Sequence, residues 1–422
     1  MAEPLEPLEP LEPLEPLERV DLAVVGAGVA ACSLAAALRR RGWGGSLRLL
    51  EIGRGPGGRA STRRSRTDPA LAINHGAPLF NIVAAAPLEP PELLAPLQAA
   101  GWIVPCRDPI RSLGGDGAVG PANPDPLTTG TLWRGAGGME NLSRGLLALA
   151  AEQPGSTQVR PHTLVRGLQP HPGEGWTLRD PAGTPLLQAR WLVLSSTLPA
   201  HPRCTALFGW GDVPLQSAAA ALRDPDLARA AAALAAIEVQ PSFNLLLLLS
   251  EEAARPWLAQ EWRLLGFTPP ARERWGLRRI SLQPLPEGRC AVVAESTPAL
   301  AARYPSREAC ADATLLEVLE AALQNALGLP TAGGERQLMR WGGAFPQAPG
   351  LPQDLALCPA SRIGFCGDGI EGPGFGRVEG ALRSAEVLAE QLLPWLKPGP
   401  PFRPAPAPAG PPGDSGWGSP PG

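Results

Sequence analysis

Glycines, small residues and one carboxylate near the amino terminus have the spacing of a dinucleotide-binding site. Gly26 and Gly28 follow a short apolar run, and Ala30 and Ala31 stand where the next helix would begin. The two glycines permit a tight turn close to a pyrophosphate, and Ala31 allows close packing of helix on strand. Glu51 ends a second apolar run, where a carboxylate can accept hydrogen bonds from a ribose.

Two strands and an intervening helix must position these residues. The pattern predicts a strand over 20–25, an alanine-rich helix that ends near Gly42, and a second strand over 46–50. The unpaired N–H groups at the start of that helix would point at the phosphates. The alternative is an ordinary glycine-containing turn between strand and helix that binds no ligand.

A second glycine-rich segment follows Glu51. Gly57 and Gly58 let the backbone approach a ligand, and Arg59 can pair with a phosphate. A domain that binds only NAD has no need for this loop, whereas an extended flavin dinucleotide does. The nearby arginines are expected to be solvated surface charges: Arg63, Arg64 and Arg66.

A third segment lies more than three hundred residues later. An apolar run over 363–366 ends at Gly367 and Asp368, and a glycine-rich turn leads to Arg377, Val378 and Glu379. Apolar residues from 378 onward recur at the spacing of one helix face. The amino terminus of that helix would direct positive partial charge at a ligand in the same cleft.

These segments resemble the FAD-binding half of the flavin amine oxidase superfamily, and within it the renalase-like NAD(P)/FAD-dependent oxidoreductases, over about residues 20–393. The resemblance implies an α/β fold with a discontinuous FAD-binding Rossmann-type (GR2-like) domain and an inserted α+β substrate domain. It also implies that Asp368 contacts the ribitol and pyrophosphate, that Val165 contacts the adenine, and that the helix beginning near Arg377 lies under the isoalloxazine. FAD is expected to be noncovalent, although Cys366 lies close enough to be checked.

Four residues are candidates for the substrate face. His75 belongs to a His-Gly-Ala sequence that the family also has, and Trp341, Phe345 and Phe375 flank the last glycine-rich segment. None is assigned as a base, because hydride abstraction by a flavin does not demand one. His75 has an equally good structural interpretation, in which it fixes its own loop.

The implied reaction is hydride transfer from a small nitrogen-containing substrate to flavin N5, with reoxidation by dioxygen or another acceptor. Monoamine and polyamine oxidases commonly place a lysine near N5 and a pair of aromatic side chains as a cage. Here Lys397 is the only lysine and Tyr304 the only tyrosine, so a renalase-like dihydronicotinamide substrate fits better than an ordinary amine. The alternatives are a carotenoid- or porphyrinogen-type desaturase, an NAD-dependent dehydrogenase and a flavin-binding protein without enzymatic activity.

Composition excludes several other classes. The net charge of −3 gives no reason to expect nucleic acid as a partner. No apolar run is long enough for stable membrane insertion, and no secretory signal is recognisable. Seven scattered cysteines and four histidines have neither disulfide-framework nor metal-ligand spacing. A cytoplasmic protein without a metal is expected, with a small-molecule substrate for which a relative of NAD(P)H is a candidate.

Composition also divides the chain. Residues 215–237 are predicted to form one alanine-rich helix and residues 242–249 a buried strand. The ends are rich in proline and are predicted to be disordered. The predicted segments are 1–18 (disordered Glu-Pro-Leu repeat), 19–82, 131–201 and 341–397 (FAD-binding domain), 83–130 and 202–340 (substrate domain), and 398–422 (disordered Pro/Gly tail).

Overall fold

The structure is a computed structural model that describes residues 17–65, 68, 70–83, 88–304 and 310–396. Of the two terminal segments predicted to be disordered, 1–18 and 398–422, residues 1–16 and 398–422 therefore lie outside the described residues. The strands are β1 (Arg19–Val25), β2 (Ser46–Leu50), β3 (Thr62–Arg64), β4 (Ala72–Asn74), β5 (Phe80–Ile82), β6 (Ile103–Pro105), β7 (Ile110–Leu113), β8 (Val119–Pro121), β9 (Thr131–Gly135), β10 (Ser156–Arg160), β11 (Gly167–His171), β12 (Gly175–Arg179), β13 (Pro185–Leu194), β14 (Val239–Leu249), β15 (Leu264–Phe267), β16 (Leu277–Pro284), β17 (Cys290–Ser296), β18 (Gly334–Pro346), β19 (Leu357–Cys358) and β20 (Ile363–Phe365).

The helices vary from five to sixteen residues in length. They are α1 (Val29–Arg40), α2 (Leu94–Ala99), α3 (Glu140–Ala151), α4 (Arg203–Phe208), α5 (Pro214–Leu222), α6 (Pro225–Ala236), α7 (Glu251–Leu258), α8 (Pro269–Trp275), α9 (Pro298–Ala302), α10 (Asp312–Leu327) and α11 (Val378–Leu392). No helix in the described part of the chain has the length and apolar character needed to cross a membrane.

The first sheet is mostly parallel and combines strands from residues 19–50, 156–194 and 357–365. Strands β10, β2, β1, β13 and β20 run parallel in that order. Strand β13 is long, so its first half pairs antiparallel with β12, which in turn pairs with β11. The alanine-rich helix α1 packs with α3 and α11 on one face of the sheet. This architecture confirms the predicted α/β class with a Rossmann-type domain.

A second sheet forms the other wall of the molecule. Its seven strands have the order β18-β14-β17-β16-β15-β7-β8, and all neighbours are antiparallel except β15 and β7. Along β14 the leucines alternate between two faces. Leu245 and Leu247 pack against α7 to α10. Leu246 and Leu248, on the opposite face, pack with Leu71 and with Ile73 of β4.

The packing bears on the proposed domain limits. Strands β7 and β8, from segment 83–130, join the second sheet, but α2, from the same segment, packs with α3 in the core of the first sheet. Helices α5 and α6 also pack on the first sheet, and β18 continues as far as Pro346. We therefore propose that residues 93–105 and 203–236 belong with the nucleotide-binding side, and that the limit at 340 lies inside a strand.

The prediction of one helix over 215–237 is wrong. Helix α5 ends at Leu222, because Arg223 adopts a left-handed conformation with φ of 56°. Helix α6 then starts anew, with Pro225 at its first position and the Asp224 carboxylate accepting from the amides of Asp226 and Leu227. The Asp-Pro pair is a helix-start signal within the alanine-rich run.

One half-buried carboxylate on α11, that of Glu386, makes stability depend on pH. Burial raises the pKa of Glu386 to about 7, above its unfolded value, so its ionisation opposes folding as pH rises through this range. We expect Glu386→Gln to raise the free energy of unfolding at pH 8 by about 1 to 2 kcal/mol, less than the full shift because the side chain keeps some contact with water.

Urea unfolding at pH 8 and pH 4.5 measures this effect. At pH 4.5 the gain should largely disappear, because the folded chain then holds Glu386 protonated and the cost of burying its charge is gone. The control is Glu390→Gln, an exposed position of the same helix, which should change little at either pH. Equal effects of the two substitutions would contradict the assignment.

Candidate functional site

A large cleft lies between the first sheet and the second. Its volume is about 1010 Å³, and both Gly28 and Asp368 line it, although 340 residues of sequence separate them. Most of the residues predicted to bind the dinucleotide line this cleft: Gly26, Gly28, Ala30, Glu51, Gly57, Gly58, Arg59, Val165, Gly367, Asp368, Arg377 and Val378.

The turn after β1 leaves the start of α1 open to a ligand. Gly26 has φ of 103°, and a β-carbon added there would lie 2.9 Å from Oγ of Ser195, so both conformation and space require glycine. Gly28 precedes the helix without a side-chain cap, and a β-carbon added there would meet nothing within 4 Å. The twelve-residue helix therefore directs its first N–H groups into free space, as a pyrophosphate site requires.

Glu51 fixes the turn from the end of β2. Its carboxylate accepts hydrogen bonds from the amides of Ala27, at 2.8 Å, and Gly53, at 2.7 Å. The residue is largely buried, yet it lines the cleft. Since each carboxylate oxygen can accept a second hydrogen bond, ribose hydroxyls can still be bound.

The second glycine loop links the two ends of the chain. The amide of Gly57 donates to the carbonyl of Ala27 at 2.9 Å, which joins the two glycine segments. Arg59 forms a two-point ion pair with Asp368, with Nη1 2.7 Å from Oδ2, and also donates to the carbonyl of Ala344 at 2.8 Å. Arg59 therefore connects all three parts of the chain that form this end of the cleft.

Helix α11 begins in the cleft. Arg377 precedes it without a side-chain cap, and the amide of Gly376 donates to the carbonyl of Asp368 at 2.8 Å. Val378 and Ala381 line the cleft from the first turn of the helix. The positive end of the dipole of this fifteen-residue helix therefore faces the cleft.

Three residues predicted for the site lie outside the lining. Ala31 is fully buried and packs α1 into the core. Glu379 is also buried, and its carboxylate pairs with Arg377 and Arg383. The Phe375 ring packs over Gly350, so Phe375 does not line the cleft although it is close in sequence to Asp368.

The other substrate-face candidates, His75, Trp341 and Phe345, do line the cleft. The His75 ring stacks on Trp341 with 5.5 Å between the ring centroids, and its carbonyl accepts from Asn244 at 2.6 Å. Burial, followed by the charges of Arg63 and Arg54, lowers the pKa of His75 to about 4. The imidazole is therefore neutral at pH 7 and is a weak base.

Sequence reasoning missed the polar side chains that the second sheet contributes. Ser242, Asn244, Arg279 and Glu295 line the cleft, and Arg279 Nη2 lies 2.6 Å from Glu295 Oε2. Glu295 is 4% exposed. The available signal was a serine and an asparagine two positions apart at the start of a leucine run, because alternate residues share a face.

Cys366 is the cysteine to examine for a covalent flavin bond. It lines the cleft but is buried, and burial followed by Cys32 raises its thiol pKa. A protonated thiol is a poor nucleophile. The described cysteines are all free and buried.

The comparisons with known proteins agree with this geometry. Residues 24–87 match the model of NAD(P)-binding Rossmann-like domains. No curated protein sequence matches the chain.

Solved structures with a similar fold cover almost the whole chain. Cyclohexylamine oxidase from Brevibacterium oxydans IH-35A has a TM-score of 0.60 and 14% identity over 90% of this chain and 100% of its own. A protein from Exiguobacterium sp. 255-15 described as a protoporphyrinogen oxidase has a TM-score of 0.59 and 12% identity. The match covers 90% of this chain and 99% of that protein. Putrescine oxidase bound to putrescine has a TM-score of 0.55 and 13% identity, and the match covers 90% of this chain and 100% of the oxidase. Residues 24–87 therefore match a Rossmann-like domain model, and the chain has the fold of these oxidases.

Proposed function

We propose that this protein is an FAD-dependent oxidoreductase that oxidises a small nitrogen-containing substrate and binds its cofactor noncovalently. The observation that carries the proposal is the cleft shared by Gly28 and Asp368, closed by the ion pair between Arg59 and Asp368. An extended dinucleotide needs such segments at both of its ends, whereas a dehydrogenase that binds only NAD leaves the Asp368 segment unexplained.

Each part of the cleft has a role toward FAD. Glu51 would accept from the adenosine ribose, the start of α1 would hold the pyrophosphate, and Asp368 would accept from the ribitol. The start of α11 would stabilise negative charge on the flavin ring. When bound, FAD supplies the hydride acceptor. The buried thiol of Cys366 supports noncovalent attachment.

Charge in the substrate half of the cleft supports a substrate whose reacting group is uncharged, as the ring of a dihydronicotinamide is. Arg279 and Arg340 line it together with one carboxylate, that of Glu295, so a cationic amine would meet repulsion as well as attraction. Tyr304, the only tyrosine, packs in the core of the second sheet. The same polar groups would be buried without partners against an apolar desaturase substrate, which therefore fits the cleft less well.

Purification followed by an absorbance scan and stopped-flow mixing tests the proposal. We expect a yellow protein that releases free FAD on denaturation, and bleaching of the flavin by dihydronicotinamide isomers faster than by primary amines. A colourless protein that does not bind added FAD would refute the cofactor assignment. A yellow protein that no candidate reductant bleaches would instead favour a flavin-binding protein without enzymatic activity.

His75 provides a separate prediction about mechanism. Because its imidazole is neutral and weakly basic, we expect His75→Ala to bind FAD and to keep a flavin-reduction rate within about fivefold of the native protein. The rate should show no dependence on a histidine ionisation between pH 6 and 9. His171→Ala, on β11 outside the cleft, is the control. Complete loss of reduction with normal FAD binding would identify His75 as essential.

A further inference from the structure

We propose that Arg203 is a second arginine that binds the pyrophosphate of the cofactor, opposite Arg59. The inference rests on the proposed function, since it assumes a bound dinucleotide. Arg203 lines the cleft but lies in none of the glycine-rich segments from which the dinucleotide site was predicted.

The backbone of Arg203 is fixed beside the phosphate end of the cleft. Its amide donates to Nδ1 of His201 at 3.0 Å, and Nε2 of that ring lies 2.8 Å from the carbonyl of Ile237. The preceding loop abuts the Gly26 turn, because the amides of Ser195 and Ser196 both donate to the carbonyl of Val25. Thr197, which accepts from the Arg203 guanidinium, directly follows these two serines, so the guanidinium lies close to the turn that leads into α1.

Not all N–H donors of the Arg203 guanidinium are used in hydrogen bonds. Nη2 donates to Oγ1 of Thr197 at 2.9 Å, whereas Nε is buried and has no hydrogen-bond partner among the described residues. A β-carbon added at Gly343 would lie 1.6 Å from Nη1, so the Nη1 end of the guanidinium abuts that backbone. A buried cationic donor without a partner is costly, and an anionic acceptor removes the cost.

The local charge balance indicates which anion. In the described part of the chain, the carboxylate that lies near both Arg203 and Arg59 is that of Asp368. Burial, followed by Arg59, lowers the pKa of Arg203 to about 10, although Asp368 opposes the shift. The guanidinium stays charged at neutral pH, so the cluster has excess positive charge. In oxidised FAD the negative charge resides on the pyrophosphate, which is therefore the complementary group.

Titration of the full-length protein after removal of its flavin tests this assignment. Calorimetry would compare the binding of FAD and of ADP, which carries the pyrophosphate without the flavin ring. We expect Arg203→Gln to weaken both by about 10- to 100-fold and to leave the absorbance spectrum of bound FAD unchanged. Arg203→Lys should recover part of the affinity, because it restores the charge without the planar fork.

Arg166→Gln is the matched control, because Arg166 pairs with Asp212 outside the cleft and should leave both affinities unchanged. Weakened FAD binding with unchanged ADP binding would place Arg203 at the flavin ring and overturn the inference. Affinities within twofold of the native protein would overturn it as well. If the native protein binds no FAD, the proposed cofactor itself fails, which is a distinguishable result.

Discussion

Glu51→Ala is expected to purify without flavin and to bind FAD at least 100-fold more weakly than the native protein. The substitution removes the acceptor for the amides of Ala27 and Gly53, so the turn that must meet the pyrophosphate loses its support. It also removes the acceptor proposed for the ribose. Hydrogen bonds to a charged group contribute about 1.5 to 3 kcal/mol each, so losing two or more accounts for this factor. The ratio of flavin to protein absorbance and calorimetric titration would measure it.

Two variants separate the carboxylate's role from general damage. Glu51→Gln retains one acceptor oxygen, so we expect an intermediate loss of about tenfold. Glu18→Ala removes a glutamate that pairs with Arg48 and directly precedes β1, at the opposite end of that strand from the glycine turn, and should leave FAD binding unchanged. If Glu51→Ala retained one tightly bound FAD per chain, the carboxylate would have no part in cofactor binding.

Local signals explain why much of the nucleotide-binding side was predictable. The strand predicted over 20–25 corresponds to Arg19–Val25, and the strand predicted over 46–50 to Ser46–Leu50. The helix after Asp368 was recognisable from its apolar face alone and begins at Val378. In these elements, the apolar periodicity and the glycines that end it lie within a few residues of one another. The local sequence therefore specifies the same element that the tertiary packing requires.

Contacts between distant segments explain most of the rest. Arg203 lines the cleft at the start of α4, and its guanidinium meets Thr197, which follows β13, and Gly343, which lies on β18. The side chains of Asn244 and Glu295 meet the cleft because β14 and β17 pair in one register. A surface arginine and one in a binding site look alike in a chain whose basic residues are almost all arginine.

Glu379 is the opposite case, a residue that the sequence assigned to the cofactor site but that does not line the cleft. Its position in the last glycine-rich segment predicted a cofactor contact, yet its carboxylate is buried at the start of α11. It lies 2.9 Å from Arg377 and 3.0 Å from Arg383, and it accepts from the amide of Val83 at 3.2 Å. The arginines are themselves largely buried. We infer that Glu379 stabilises the fold by neutralising two buried charges.

Glu379→Ala is therefore expected to lower the free energy of unfolding by about 3 to 5 kcal/mol, because it leaves buried guanidinium groups without a counter-charge. Urea unfolding should show this loss both with FAD and after the flavin is removed, since the ion pairs do not depend on the cofactor. Glu390→Ala, at an exposed position of the same helix, should change stability by less than about 0.5 kcal/mol. A cofactor ligand would behave differently: its loss would reduce only the extra stability that FAD confers. Normal stability without FAD, combined with weaker FAD binding, would return Glu379 to the cofactor site.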